Sequence, residues 1–87
     1  MKLEAVFWDY PKFLDEQFLR SFLEENKNSE IFSWLMTRFL EHGRATDALS
    51  LFTIEEISAL LPSLRLSDYA AAKWQRLVEV YASRPRG

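Results

Sequence analysis

The chain has 87 residues, with 11 Lys and Arg against 13 Asp and Glu, a formal net charge of −2. Residues 1–44 carry six basic and eight acidic side chains and residues 45–87 carry five of each, so neither half is a basic arm of the kind that binds nucleic acid through its phosphates. Cysteine is absent, which excludes disulfides, thiolate metal sites and a thiol nucleophile, and the 48% hydrophobic content suffices for one core and one domain, 1-87.

The first apolar run is "VFWDYPKF", Val6 to Phe13, in which four aromatic rings surround one carboxylate, Asp9. Residues 2–13 show no clean helical period, and Pro11 biases Tyr10 away from the α region. The lead-in 1-13 is therefore expected to be extended, with at most a few strand-like residues near Leu3 to Phe7. Phe7, Trp8 and Phe13 are expected to form a lid over the helices, each large side chain contributing roughly 1.5–3 kcal/mol if fully buried. Asp9 cannot be buried alone. It should accept backbone N–H groups or pair with Arg38 or Arg44, fixing the lid in one register.

Asp15 is the expected N-cap of a first helix, whose apolar side is Phe18, Leu19, Phe22 and Leu23. "ENKNS" reads as a polar loop. Ser29 caps a longer, central helix that runs to about His42, where Gly43 provides the stop. Its apolar arc is centred near Phe39, and Trp34 lies off that arc beside Thr37, Arg38 and Glu41. A short helix follows Thr46, through Ala48, Leu49 and Phe52. Thr53 and Glu56 then form a Thr-x-x-Glu capping box before Ile57, Leu60 and Leu61, and Pro62 ends that helix. Ser67 caps the last helix, with Ala70, Trp74, Leu77, Val78 and Tyr81 on its inner stripe. Residues 83–87, "SRPRG", read as a frayed polar tail. The fold class is all-α, a compact bundle of four to five short helices.

Catalytic constellations are missing. His42 has no second histidine at i+4 and reads as a last-turn side chain that favours the helix dipole. The adjacent pairs Asp15–Glu16, Glu24–Glu25 and Glu55–Glu56 point about 100° apart on a helix and do not converge on one substrate atom. With two glycines, the chain has no phosphate loop and no nucleophile elbow. No enzyme activity, cofactor or metal is expected, and no run approaches the roughly 18 apolar residues of a membrane span. No secretory signal is visible either, so a cytoplasmic location is expected.

Two surface features invite a partner. Trp34 with Arg38 lies on the polar side of the central helix, where Trp34 needs either a partner or a roof from the lead-in "VFWDY". Tyr69, Lys73, Arg76 and Val80 form a second stripe on the last helix, whose Lys73 and Arg76 otherwise read as solvated charges. Such faces dock on protein or, through the Tyr69 stripe, stack on and neutralise single-stranded nucleic acid. Helix-turn-helix binding is disfavoured by the long link from Pro62 to Ser67 and by Asp68 and Glu79 on the outer side. A third reading is a homodimer that pairs its apolar faces. The residues expected to be structural are Trp8, Asp9, Gly43, Thr53, Glu56, Ser67 and Trp74.

Four short elements, in order along nearly the whole chain, carry a family likeness. They are "FWD" at Phe7 to Asp9, "FLEHGRATDAL" at Phe39 to Leu49, "FTIEEISALL" at Phe52 to Leu61 and "LSDYAAAKW" at Leu66 to Trp74. On these the chain resembles a small uncharacterised prokaryotic all-helical domain family. Some members look like antitoxin-type partners of nucleotidyltransferase-family toxins. The resemblance implies an interaction role and no catalytic residues. Departure from many DNA-binding antitoxins lies in the short tail, which puts autoregulation through DNA in doubt.

Overall fold

A computed structural model describes residues 1–83. Five α-helices follow two 3-10 turns, at Leu3–Ala5 and Pro11–Leu14: α1 (Glu16–Glu25), α2 (Glu30–His42), α3 (Ala45–Leu51), α4 (Ile54–Leu60) and α5 (Asp68–Ser83). A third 3-10 turn, Leu61–Ser63, links α4 to α5. There is no strand among the described residues, and the all-α bundle stands. The anticipated tail lies, past Ser83, outside the described residues.

The helix starts follow the side-chain chemistry of the sequence. Asp15 accepts the Phe18 N–H at 3.2 Å, and Ser29 Oγ accepts the Phe32 N–H at 3.3 Å. Thr53 and Glu56 make both halves of the capping box, at 3.0 and 2.9 Å. Ser67 Oγ accepts from Ala70 N at 3.2 Å. Each bond satisfies an amide that a helix N-terminus would leave bare. Asn28, at φ 64°, takes the left-handed turn position between α1 and α2 that asparagine tolerates.

Three local expectations need correction. The lead-in is coiled into two 3-10 turns instead of lying extended. The amides of Val6 and Phe7 both bond to the Leu3 carbonyl, which rules out a strand there, and Pro11 opens the second turn, where its missing N–H costs nothing. α3 starts at Ala45, ahead of Thr46, after an Arg44 N-cap whose side chain makes no capping hydrogen bond. Gly43 does end α2, but with φ −90° and ψ 169°, an extended conformation open to any residue. Glycine is required there for space. A Cβ would sit 2.9 Å from the Phe39 carbonyl oxygen and 3.1 Å from both Phe39 Cδ1 and Val6 Cγ2.

α2 is the central helix, packing on α3 and α5, while α4 also packs on α5 and α1 rests on the Pro11–Leu14 turn. Phe32, Leu35, Met36, Phe39 and Leu40 of α2 are buried and meet Leu19 and Leu23 from α1, Ala48, Phe52, Ile57 and Trp74. Edge-to-face contacts join Phe39 to Phe7 and to Phe52, at 5.5 and 5.8 Å between ring centroids. Trp74 is fully buried, and its Nε1–H donates to the Leu40 carbonyl at 3.1 Å. That carbonyl lies in the last turn of α2, where the helix supplies no N–H donor of its own. Tyr81, placed by its spacing on the inner stripe of α5, is instead 38% exposed at the far end of the helix.

Candidate functional site

The lead-in is half lid and half surface. Leu3, Val6, Phe7 and Phe13 are buried and seal the core on the α2 side. Trp8 does not join them: it is 59% exposed, which corrects the expectation of a buried lid residue. Pro11 and the first 3-10 turn fix the phase of the segment so that Phe7 and Phe13 point in while Trp8 points out.

Trp8 belongs to an aromatic cage around Arg38. The guanidinium carbon lies 4.7 Å from the Trp8 ring centroid, 5.3 Å from Trp34, 5.4 Å from Tyr10 and 5.6 Å from Phe7. The same guanidinium donates from Nε to the Val6 carbonyl at 3.1 Å, and its terminal nitrogens reach Val6 O and both oxygens of Asp9. Arg38 is thus the partner anticipated for Asp9. Arg44 pairs instead with Asp47 at 3.6 Å. The hydrogen bond from Arg38 holds the Asp9 carboxyl below its ordinary value of 3.8. Its own backbone N–H and the charges of Arg38 and His42 act the same way, and partial desolvation opposes them. His42, at the end of α2, is exposed and meets Trp8 edge-on at 5.1 Å.

This geometry removes Arg38 from the set of outward contact residues. Its side chain is 15% exposed and its donors are committed within the chain. Trp34 is likewise covered in part: Tyr10 meets it at 5.2 Å and Phe7 at 6.5 Å, and the ring packs against the core. The lead-in therefore supplies the cover that a tryptophan on a polar helix face requires.

Beside the cage lies a surface hollow of about 290 Å³ lined by Tyr10, Lys12, Phe13, Phe22, Ile31 and Trp34. Three elements build it: the Pro11–Leu14 turn with Tyr10, α1 and α2. Phe18 stands next to it, 6.0 Å from Phe13 and 5.9 Å from Phe22 between centroids. Phe18 was placed by its spacing on the inner face of α1, yet it is 43% exposed, and Leu14 and Tyr10 are exposed to similar degrees. Apolar surface thus extends from the hollow onto α1. Sequence spacing could not have located it, because its six residues are contributed by three separate elements whose relative packing no single helical period encodes. The clue present in the sequence was a surplus of aromatic residues in the lead-in.

The Tyr69 stripe lies on α5. Tyr69 is 79% exposed, Arg76 is exposed and Lys73 half-buried, its Nζ 5.9 Å from the Trp74 ring centroid. These residues follow one helical stripe, separate from the Trp34 hollow. A second cleft, of about 320 Å³, runs between α4 and α5 and is lined from α5 by Val78, Tyr81 and Ala82.

Among the described residues no cluster of three His, Cys, Asp or Glu side chains could hold a metal ion, and no helix is long and apolar enough to cross a membrane. No family model, curated protein or solved structure matches the chain.

Proposed function

We propose that the protein is a protein–protein interaction module that works in the cytoplasm by binding, not by catalysis, and that docks through the aromatic hollow of Tyr10, Phe13, Phe22, Ile31 and Trp34. The carrying observation is the combination of a concave apolar site with exposed apolar neighbours, Leu14 and Phe18. Interfaces concentrate their energy where an anchor side chain fills such a hollow and neighbouring apolar residues exclude water. Of the residues singled out from sequence, Trp34 remains in this reading as a wall of the site. Tyr69, Lys73 and Arg76 become a separate face.

The resemblance to antitoxin-type helical domains supports the same class of role, with a toxin of the nucleotidyltransferase family as the corresponding partner. Capture from native lysate, after nuclease treatment, tests the docking face. Phe18→Ser and Leu14→Ser are expected to fold and to lose a partner that the parent chain retains. Tyr69→Ser with Lys73→Glu is expected to retain it. Loss through the α5 variant alone would move the interface to the Tyr69 stripe, and recovery only of nucleic acid at low salt would replace the protein partner with a nucleic acid.

A further inference from the structure

The charges around the hollow narrow the chemistry of its occupant, on the reading that it is a docking site. Lys12 is the one lining residue that carries a charge. Its Nζ lies 5.1 Å from the centroid of Phe13, and no ion pair engages it among the described residues. Arg20 pairs with Glu16 at 3.0 Å, Lys27 with Glu24 at 3.5 Å, Arg44 with Asp47 at 3.6 Å and Arg38 with Asp9, whereas Lys2, Arg65, Lys73 and Arg76 resemble Lys12 in having no ion pair among the described residues. Glu30, the residue before Ile31, is exposed in the first turn of α2, and Asp15 is occupied as the cap of α1.

An aromatic hollow would ordinarily suit a cation, since ring faces carry negative potential. Here that role is already filled from within. Tyr10 and Trp34, two walls of the hollow, contact Arg38 at 5.4 and 5.3 Å, and Asp9 neutralises Arg38 in place. A second cation would find Tyr10 and Trp34 already in contact with Arg38 and would meet Lys12 at the lining. An uncharged apolar group meets neither penalty, and a carboxylate beside it gains Lys12.

We infer that the hollow takes an apolar anchor side chain flanked by a carboxylate, so that the partner protein presents an apolar–acidic segment. Phenylacetate, phenethyl alcohol and phenethylamine model the acidic, neutral and basic forms of such an anchor. Each is titrated into the intact chain while amide and indole N–H signals are followed by NMR. Phenylacetate is expected to move the Lys12, Phe22 and Trp34 signals and to saturate at about threefold lower concentration than the alcohol, a preference typical of one exposed ion pair. The amine should bind most weakly. Lys12→Met, which keeps the length of the stem and removes the charge, should erase the advantage of the acid over the alcohol. Equal binding of all three compounds, or tightest binding of the amine, would overturn the acidic preference and leave the docking site standing. No movement of hollow signals by any of them would overturn the docking site as well.

Discussion

Arg38 and Asp9, 29 residues apart, close the lead-in onto the central helix: the guanidinium donates to both carboxylate oxygens and, from the same fork, to the Val6 carbonyl. One side chain therefore ties down the backbone on both sides of Phe7 and Trp8. Arginine suits the task because its planar donors reach two acceptors at once while its faces lie against rings.

Arg38→Ala should destabilise the chain by about 2–3 kcal/mol, because it leaves the Val6 carbonyl without its donor and removes the filling of the aromatic cage. Arg38→Lys keeps the charge and loses the fork, so it should recover only part of that. Urea midpoints of the two variants check this. A lysine variant as stable as the parent would show that charge alone suffices.

The Asp9 carboxyl titrates below its ordinary value of 3.8 in the folded chain, chiefly because of the Arg38 hydrogen bond. A depressed folded value means that the unfolded chain takes up the proton first as pH falls. The ion pair thus contributes its full stability above the ordinary value, and the contribution is lost as pH falls from there through the folded value. Asp9→Asn should lower stability at about pH 7 and leave a smaller difference from the parent at about pH 3, as read from urea midpoints. A constant difference across that range would contradict the pairing.

Gly43→Ala should cost about 1–3 kcal/mol through the contacts a Cβ would make with Phe39 and Val6. Gly43→Asn should be no milder, because φ is −90° and the left-handed preference of asparagine brings no relief. Thermal melts of the two variants distinguish crowding from backbone conformation: an asparagine variant close to the parent would point to conformation.

Trp74→Phe should lower stability by about 1–3 kcal/mol, from an emptied part of the core and a Leu40 carbonyl left without the indole donor. Denaturant unfolding measures it. A loss no larger than that of an exposed substitution such as Lys12→Ala would contradict the role of the indole N–H.

The parts of the fold legible in the sequence were those written in neighbouring residues. Asp15, Ser29, Thr53 with Glu56, and Ser67 announced helix starts because a cap acts within three residues of itself. The arc of α2 around Phe39 followed from helical spacing. The lead-in was harder. Its aromatic content pointed to a lid, but which rings face inward depends on two short 3-10 turns, and those turned Trp8 outward while burying Phe7. Asp9 was matched to Arg38 or Arg44 by charge alone, and only the packing of the lead-in on α2 selects Arg38. Gly43 marked the end of α2 for a reason hidden in sequence, the close approach of Val6. The hollow was hidden for the same reason, since Tyr10, Phe22 and Trp34 meet only once three elements have packed.

The three tryptophans offer the most direct test of the docking face, since Trp8 lies in the cage, Trp34 walls the hollow and Trp74 is buried. The decisive measurement follows their indole N–H signals by NMR as a partner captured from native lysate is added to the labelled chain. Docking at the hollow predicts that the Trp34 signal shifts while the Trp74 signal stays in place. An unmoved Trp34 signal, with shifts at the Tyr69, Lys73 and Arg76 amides instead, would contradict it and place the interface on α5.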